Sequence, residues 1–303
     1  DRQHRISILQ FRPIASQIMM EGLPVLTKTF AISTLLLLAG KGVAGLAGYN
    51  FTLAKQCTIY STAAYCLNNI EDWSCAYCSN PLVASFEPKY IITNTTTDMH
   101  GFAGVDVASK LIILSFRGTE DLHNWITDLD GLTRADAALN SCSTNIKTAK
   151  IHSGFFGAYS SVQNQVRYVV QQLVAQYKDF GIVFTGHSLG SVLATLGALD
   201  VACFTDPQHH ASAYNFGSPR IGDQDFVDLI KEEEFIDVFR HTHWKDIVPH
   251  LPPHALLGYR HVATEYFLLE TWTGGMPKVC DGSGEDGYCA DQFDDPITFS
   301  VDD

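Results

Sequence analysis

The stretch from Ile182 to Asp200 constrains this chain more than any other. An apolar β-type run, Ile182-Val183-Phe184-Thr185, enters the pentapeptide Gly186-His187-Ser188-Leu189-Gly190, and a small-residue helical run leaves it. Val192, Leu193, Leu196 and Leu199 recur at helical spacing after the pentapeptide. A Gly-x-Ser-x-Gly on its own is a common turn; between a buried strand and a helix it marks a nucleophilic serine. The sharp turn forces the serine backbone into a sparsely allowed conformation, and glycines on both sides let strand and helix approach. The Ser188 hydroxyl then stands clear of the sheet at the mouth of a helix N-terminus, where backbone N–H groups can receive an oxyanion.

At 303 residues with 46% apolar side chains, the chain suffices for one α/β unit with a sizeable core, and no Pro/Ser-rich linker divides it. A formal charge of −13 argues against nucleic acid and against electrostatic docking on anionic membranes, since both need basic patches. The expected partner is neutral or weakly charged.

Lys28 precedes the apolar run Phe30 to Ala39, and small residues follow at Gly42-Val43-Ala44 and Gly45-Leu46-Ala47. These match the charged, apolar and cleavage regions of a secretory signal. Lys41 ends the run short of the roughly 20 residues that a spanning helix needs, so no transmembrane anchor is expected. Met19 and Met20 sit where a signal begins. The expected division is an upstream leader or vector remnant over 1–18, a signal peptide over 19–47 and one catalytic domain over 48–303. All eight cysteines follow the proposed signal, consistent with secretion. Cys280 and Cys289 bracket a Gly-rich acidic loop and read as a local disulfide. Disulfides among Cys57, Cys66, Cys75 and Cys78 are favoured over zinc, because no second Cys-x-x-Cys or close His pair completes a metal site. Cys203 reads as a buried free thiol. Asn50-Phe51-Thr52 and Asn94-Thr95-Thr96 are N-glycosylation sequons.

Strand-like runs at Lys89 to Thr93, Gly104 to Val107, Leu111 to Phe116, Ala211 to Phe216 and Ile236 to His241 alternate with helical patterns over Tyr159 to Lys178 and Gln224 to Lys231. This alternation predicts an α/β fold, a mostly parallel sheet with helices on both faces. Arg117-Gly118-Thr119 falls at the carboxyl end of one strand, where ligands gather in such sheets. A backbone N–H and a hydroxyl there could meet an oxyanion. The segment after it, Asp121 to Leu129, mixes Leu122, Trp125 and Ile126 with polar residues, as a lid over an apolar pocket would. Asp246 follows the last strand of the pattern, in the Ser-then-Asp order of a hydrolase triad, where an acid would hold an imidazole tautomer and steady its charge.

Taken together, Phe116-Arg117-Gly118-Thr119, Asn124-Trp125 with Asp128-Leu129, Ile151-His152 with Gly154-Phe155, Thr185 to Gly190, Gly217 to Gly222, Asp246 to Pro253, and Gly258-Tyr259 with His261 form an ordered set. In these residues the chain resembles the fungal-type, class 3 triacylglycerol lipases of the α/β-hydrolase fold, from about Lys89 to Leu269. The resemblance implies Ser188 as nucleophile, Asp246 as triad acid, Thr119 and Leu189 as oxyanion-hole residues, and a short mobile lid over 120–127 that carries Leu122 and Trp125. It implies hydrolysis of carboxylic esters without calcium, other metal or cofactor, by a secreted monomer acting on an acylglycerol or other lipid ester at an oil–water interface. It also places the catalytic histidine a few tens of residues after the Gly-Tyr-x-His segment, and no histidine follows His261. The chain thus reads as cut short of its imidazole at the C-terminus, with His261 as a fallback base. A feruloyl-type esterase, a phospholipase A1 and an inactive lipid-binding homologue are the alternatives on the same scaffold.

Overall fold

The central strands read as unbroken apolar runs because both of their faces are covered. The computed structural model describes residues 48–66, 68–119, 134–136, 148–204, 210–254 and 258–293. The proposed leader and signal, the lid positions Leu122 and Trp125, and Cys142 lie outside them. Helix α1 (Phe51–Ala63) comes first, followed by β1 (Phe86–Asn94), β2 (Met99–Asp106) and β3 (Leu111–Phe116). A small two-stranded ladder joins β4 (Arg134–Asp136) to β5 (Lys150–His152), and leads into α2 (Ser153–Ser160) and α3 (Gln163–Gln176). Then come β6 (Gly181–His187), α4 (Leu189–Phe204), β7 (Ala211–Phe216), α5 (Gln224–Glu232), β8 (Ile236–His243), β9 (Glu265–Leu268) and β10 (Lys278–Val279).

Eight strands form one sheet in the order β1-β2-β3-β6-β7-β8-β9-β10. From β3 to β9 every pairing is parallel, while β1, β2 and β10 join antiparallel at the edges. Side chains alternate between two cores. Ile112 and Leu114 of β3, Ile182 and Phe184 of β6, Ala211 and Ala213 of β7, and Val238 of β8 face the core built with α3 and α4. Ile113, Val183, Tyr214, Phe216 and Phe239 face the other core, which α1 covers. Helices therefore lie on both faces of a mostly parallel sheet, as the pattern predicts.

Two local expectations need correction, and one helix departs from the usual pattern. Helix α1 has no amphipathic pattern because Thr58, Ser61 and Thr62 on it are buried. Their hydroxyls are satisfied within the helix, Thr58 Oγ1 and Thr62 Oγ1 donating to the carbonyls of Ala54 and Thr58. The expected single helix over Tyr159 to Lys178 is two, α2 and α3: Val162 leaves helical geometry with φ −120° and ψ −4°, and the Ser161 carbonyl beside it accepts from Asn94 Nδ2 of the β1–β2 hairpin at 3.0 Å. Cys203 is not a free thiol but disulfide-bonded. Cys75–Cys78 and Cys280–Cys289 are joined as expected, whereas Cys57 and Cys66 are free. No helix among the described residues is long and apolar enough to cross a membrane.

Candidate active site

Strand register determines what meets at the carboxyl edge of the sheet. Phe116 pairs with Gly186, His187 with Phe216, and Phe216 with His241. Ser188, Thr119 and Asp246 lie one, three and five residues beyond that line, so all three project from the same edge.

Ser188 occupies the turn between β6 and α4 with φ +55°, the left-handed region that a side chain enters only under constraint. The constraint is visible in its neighbours. The Ser188 N–H donates to the Phe216 carbonyl at 3.0 Å, and its own carbonyl accepts from the Ser191 N–H and from Ser191 Oγ. A Cβ on Gly186 would overlap the Gly190 carbonyl, and one on Gly190 would overlap that of Phe116. Both glycines are needed for close approach. Ser188 Oγ is buried and has no hydrogen-bond partner. Leu189 begins α4, so its N–H is among those a helix leaves unpaired. Leu189, Gly118 and Thr119 line one cavity of about 510 Å³, which Met99, Phe155 and Ala158 close on its apolar side.

Asp246 follows β8 through Trp244, whose φ is +45°. Its Oδ1 accepts from the Val248 N–H at 3.0 Å. Burial pushes the carboxyl up to about 6, against the pull of that amide. Gly217, with φ +55°, is required twice over, for its backbone and for its missing side chain: a Cβ there would lie 2.8 Å from Asp246 Oδ2 and 3.5 Å from His187 Nε2.

His261 is held in a different network. Its Nε2–H donates to the Pro249 carbonyl at 2.7 Å, its N–H donates to Glu285 Oε1 at 2.8 Å, and burial holds its pKa well below the usual histidine value. Glu285 also receives the fully buried Arg220 guanidinium, which binds Asp291 and donates from Nη1 to the carbonyls of His250 and Pro252. This cluster anchors the Asp246–Pro252 segment from beneath. His261 is thereby tied through Nε2 to the loop that carries Asp246. Arg220, invisible as a signal beyond its place in a motif, is the pivot. Arg220→Met should destabilise the fold by about 3–5 kcal/mol, because it strands two carboxylates beside a buried site. Thermal melts of the two proteins check this.

His187 is half-buried, and desolvation lowers its pKa to about 4; His241, whose Nδ1–H donates to the Asn215 carbonyl and whose Nε2 accepts from Tyr49 Oη, is lowered likewise. A histidine whose folded pKa is depressed stabilises the fold fully above its unfolded pKa and loses that contribution as pH falls toward the folded value. Asp246 acts in the opposite sense, since its raised carboxyl favours the fold as pH drops below about 6. Three neutral, desolvated histidines outweigh one acid. The melting temperature should decline as pH falls from about 6.5 toward 4, and calorimetry across that window decides.

Tyr65 is a residue of this edge that sequence reading does not single out, because nothing in Ala63-Ala64-Tyr65-Cys66 separates it from core. Its Oη accepts from the Gly118 N–H at 3.1 Å and hydrogen-bonds His187 Nδ1 at 2.9 Å.

A profile of the family described as Lipase (class 3) matches residues 113–256. The chain is 30% identical over 242 residues to a lipase from Rhizomucor miehei, covering 78% of this chain and 63% of that protein. It is 30% identical over 233 residues to secreted mono- and diacylglycerol lipase 1 from Fusarium solani, covering 74% and 66%. The chain thus spans less than two thirds of the length of these relatives. The crystal structure of a lipase from Rhizopus microsporus var. chinensis superposes with a TM-score of 0.71 over 88% of this chain and 93% of that one, at 27% identity. Motif order, sheet topology and relatives agree, and the chain belongs to the class 3 lipase family, with its α/β-hydrolase fold.

Proposed function

We propose that the full-length protein is a secreted serine hydrolase of acylglycerols, in which Ser188 is the nucleophile, Asp246 the triad acid, and Thr119 and Leu189 the oxyanion-hole donors. The observation that carries this reading is Ser188 itself, strained at φ +55° between β6 and α4 with a buried, unpartnered hydroxyl, on the sheet edge it shares with Asp246. An imidazole held by Asp246 takes the Ser188 proton as Oγ attacks the ester carbonyl. N–H groups of Thr119 and Leu189 receive the oxyanion, the alcohol leaves with a proton from the imidazole, and water then hydrolyses the acyl-enzyme. His261 Nε2 is held by the Pro249 carbonyl, His187 Nδ1 by Tyr65, and desolvation depresses both rings, so this reading assigns the imidazole to neither.

The apolar wall of Met99, Phe155 and Ala158 beside Thr119 and Leu189 suits an acyl chain. Leu122, Trp125 and Ile126 suit a lid that opens on lipid, and favour it over the polar, immobile cover that a feruloyl esterase on soluble substrates needs. Secretion is supported by the disulfides and by the secreted relative from Fusarium solani. The test is hydrolysis of a long-chain triacylglycerol emulsion against a short-chain ester in true solution and a methyl ferulate. Faster turnover on the emulsion is expected; activity confined to the soluble esters would favour the feruloyl-type reading, and preference for a phospholipid emulsion the phospholipase A1 reading.

A further inference from the structure

We propose that Tyr65 is a positioning residue of this site, clamping the oxyanion loop to the nucleophile turn by accepting from the Gly118 N–H while donating to His187 Nδ1. The proposal rests on the serine-hydrolase reading above. Its physical basis is a conflict at Gly118. A Cβ at that position would overlap Tyr65 Oη, lie 2.6 Å from the His187 carbonyl and 3.1 Å from Ser188 Cβ, so no larger residue fits. Glycine is also the residue that holds its backbone least firmly. The peptide that presents the Thr119 N–H is joined to the rest of β3 through this soft position, and an oxyanion donor must be aimed before charge develops if it is to stabilise it. An external hydrogen bond resolves the conflict.

The loop is held at both ends. On the β3 side, the Arg117 N–H donates to the His100 carbonyl at 2.9 Å, and the buried guanidinium binds Asp98. On the turn side, Tyr65 Oη takes the Gly118 N–H at 3.1 Å, and another of its hydrogen bonds ends on the residue directly before the nucleophile. His187 makes a stable acceptor there, because burial keeps its ring neutral well below working pH. If Nδ1 accepts, Nε2 carries the proton, and Nε2 lies 3.5 Å from the same point beside Gly217 that is 2.8 Å from Asp246 Oδ2. One tyrosine oxygen thus relates the oxyanion loop, the nucleophile turn and the surroundings of the acid.

The decisive variant is Tyr65→Phe in the full-length protein, which removes one oxygen and keeps the ring in place. With a soluble p-nitrophenyl ester, kcat should fall about tenfold while KM stays within about twofold, the pattern expected when a donor is misaimed and substrate binding is untouched. An unchanged kcat, even with a lower melting temperature, makes Tyr65 an ordinary core residue and overturns the proposal, as does a rise in KM alone. Inactive wild-type protein overturns the serine-hydrolase reading and this inference with it; active wild type with an unaffected Y65F overturns only the inference. If Y65F does not fold, the wild type decides through the ¹⁵N shifts of His187. Nδ1 unprotonated across roughly pH 5 to 9 is expected, and a protonated Nδ1 would reverse the hydrogen bond and overturn the clamp.

Discussion

Replacing Ser188 by alanine is expected to reduce ester hydrolysis by the full-length protein by about 10⁴-fold or more, with no loss of fold stability. The two halves of this expectation have separate causes. The activity falls because no other hydroxyl stands on the strand-to-helix turn at the cavity edge; Ser191 Oγ donates to the Ser188 carbonyl and lies inside the helix. Stability is preserved because Ser188 Oγ makes no hydrogen bond while buried, so its deletion removes an unsatisfied polar atom instead of a contact. Alanine keeps the strained φ. Ser188→Gly should go further and stabilise the fold by about 1 kcal/mol, since glycine adopts a positive φ at no steric cost. Hydrolysis of an ester panel, labelling by a fluorophosphonate and thermal melts check the pair. Substantial hydrolysis by Ser188→Ala would sink the assignment of the nucleophile.

Asp246→Asn should reduce turnover by about 10⁴-fold as well, because an amide stabilises the wrong imidazole tautomer and cannot balance an imidazolium. Its effect on stability runs the other way and depends on pH. The Asp246 carboxyl is raised to about 6 from an ordinary value of 3.8, so its ionised form is a cost to the fold above pH 6 and no cost below the ordinary value. The asparagine variant should therefore gain more melting temperature over wild type near pH 8 than near pH 4. An imidazolium close to Asp246 would pull the carboxyl back down, and the size of the gain reports how far it does so. A turnover loss with no pH-dependent gain would mean that the carboxylate is less buried than its surroundings indicate.

Much of the fold was legible because α/β sheets write their strands as apolar runs. Leu111 to Phe116 and Ala211 to Phe216 are strands with those bounds. Other elements were hidden for identifiable reasons. Helix α1 buries hydroxyls that its own carbonyls satisfy, so its inner face looks polar. Strand β9 carries Glu265, a buried carboxylate that reads as surface until Thr242 Oγ1 and the Ala290 N–H are seen to donate to it. The break between α2 and α3 coincides with a hydrogen bond from Asn94, 67 residues away from the carbonyl it binds. Ser188, Thr119, Leu189 and Asp246 could be proposed from sequence because turn chemistry and chain order are local. Tyr65, Arg220 and the true setting of His261 could not, since each acts through partners distant in sequence: Tyr65 and His187 are separated by 122 positions, Arg220 and Glu285 by 65.

The segment from Asp246 to Pro252 is held by its carbonyls, those of Pro249, His250 and Pro252, and every amino acid carries a carbonyl. Its anchors, Arg220 and His261, recognise the path of the chain and are indifferent to what hangs from it. Half-buried Ile247 and Leu251 can consequently drift in size and shape over generations, or be randomised in a library, while the carboxylate between strand and loop stays where it is. A stretch held by its backbone path is thereby joined directly to a carboxylate that has little room to move.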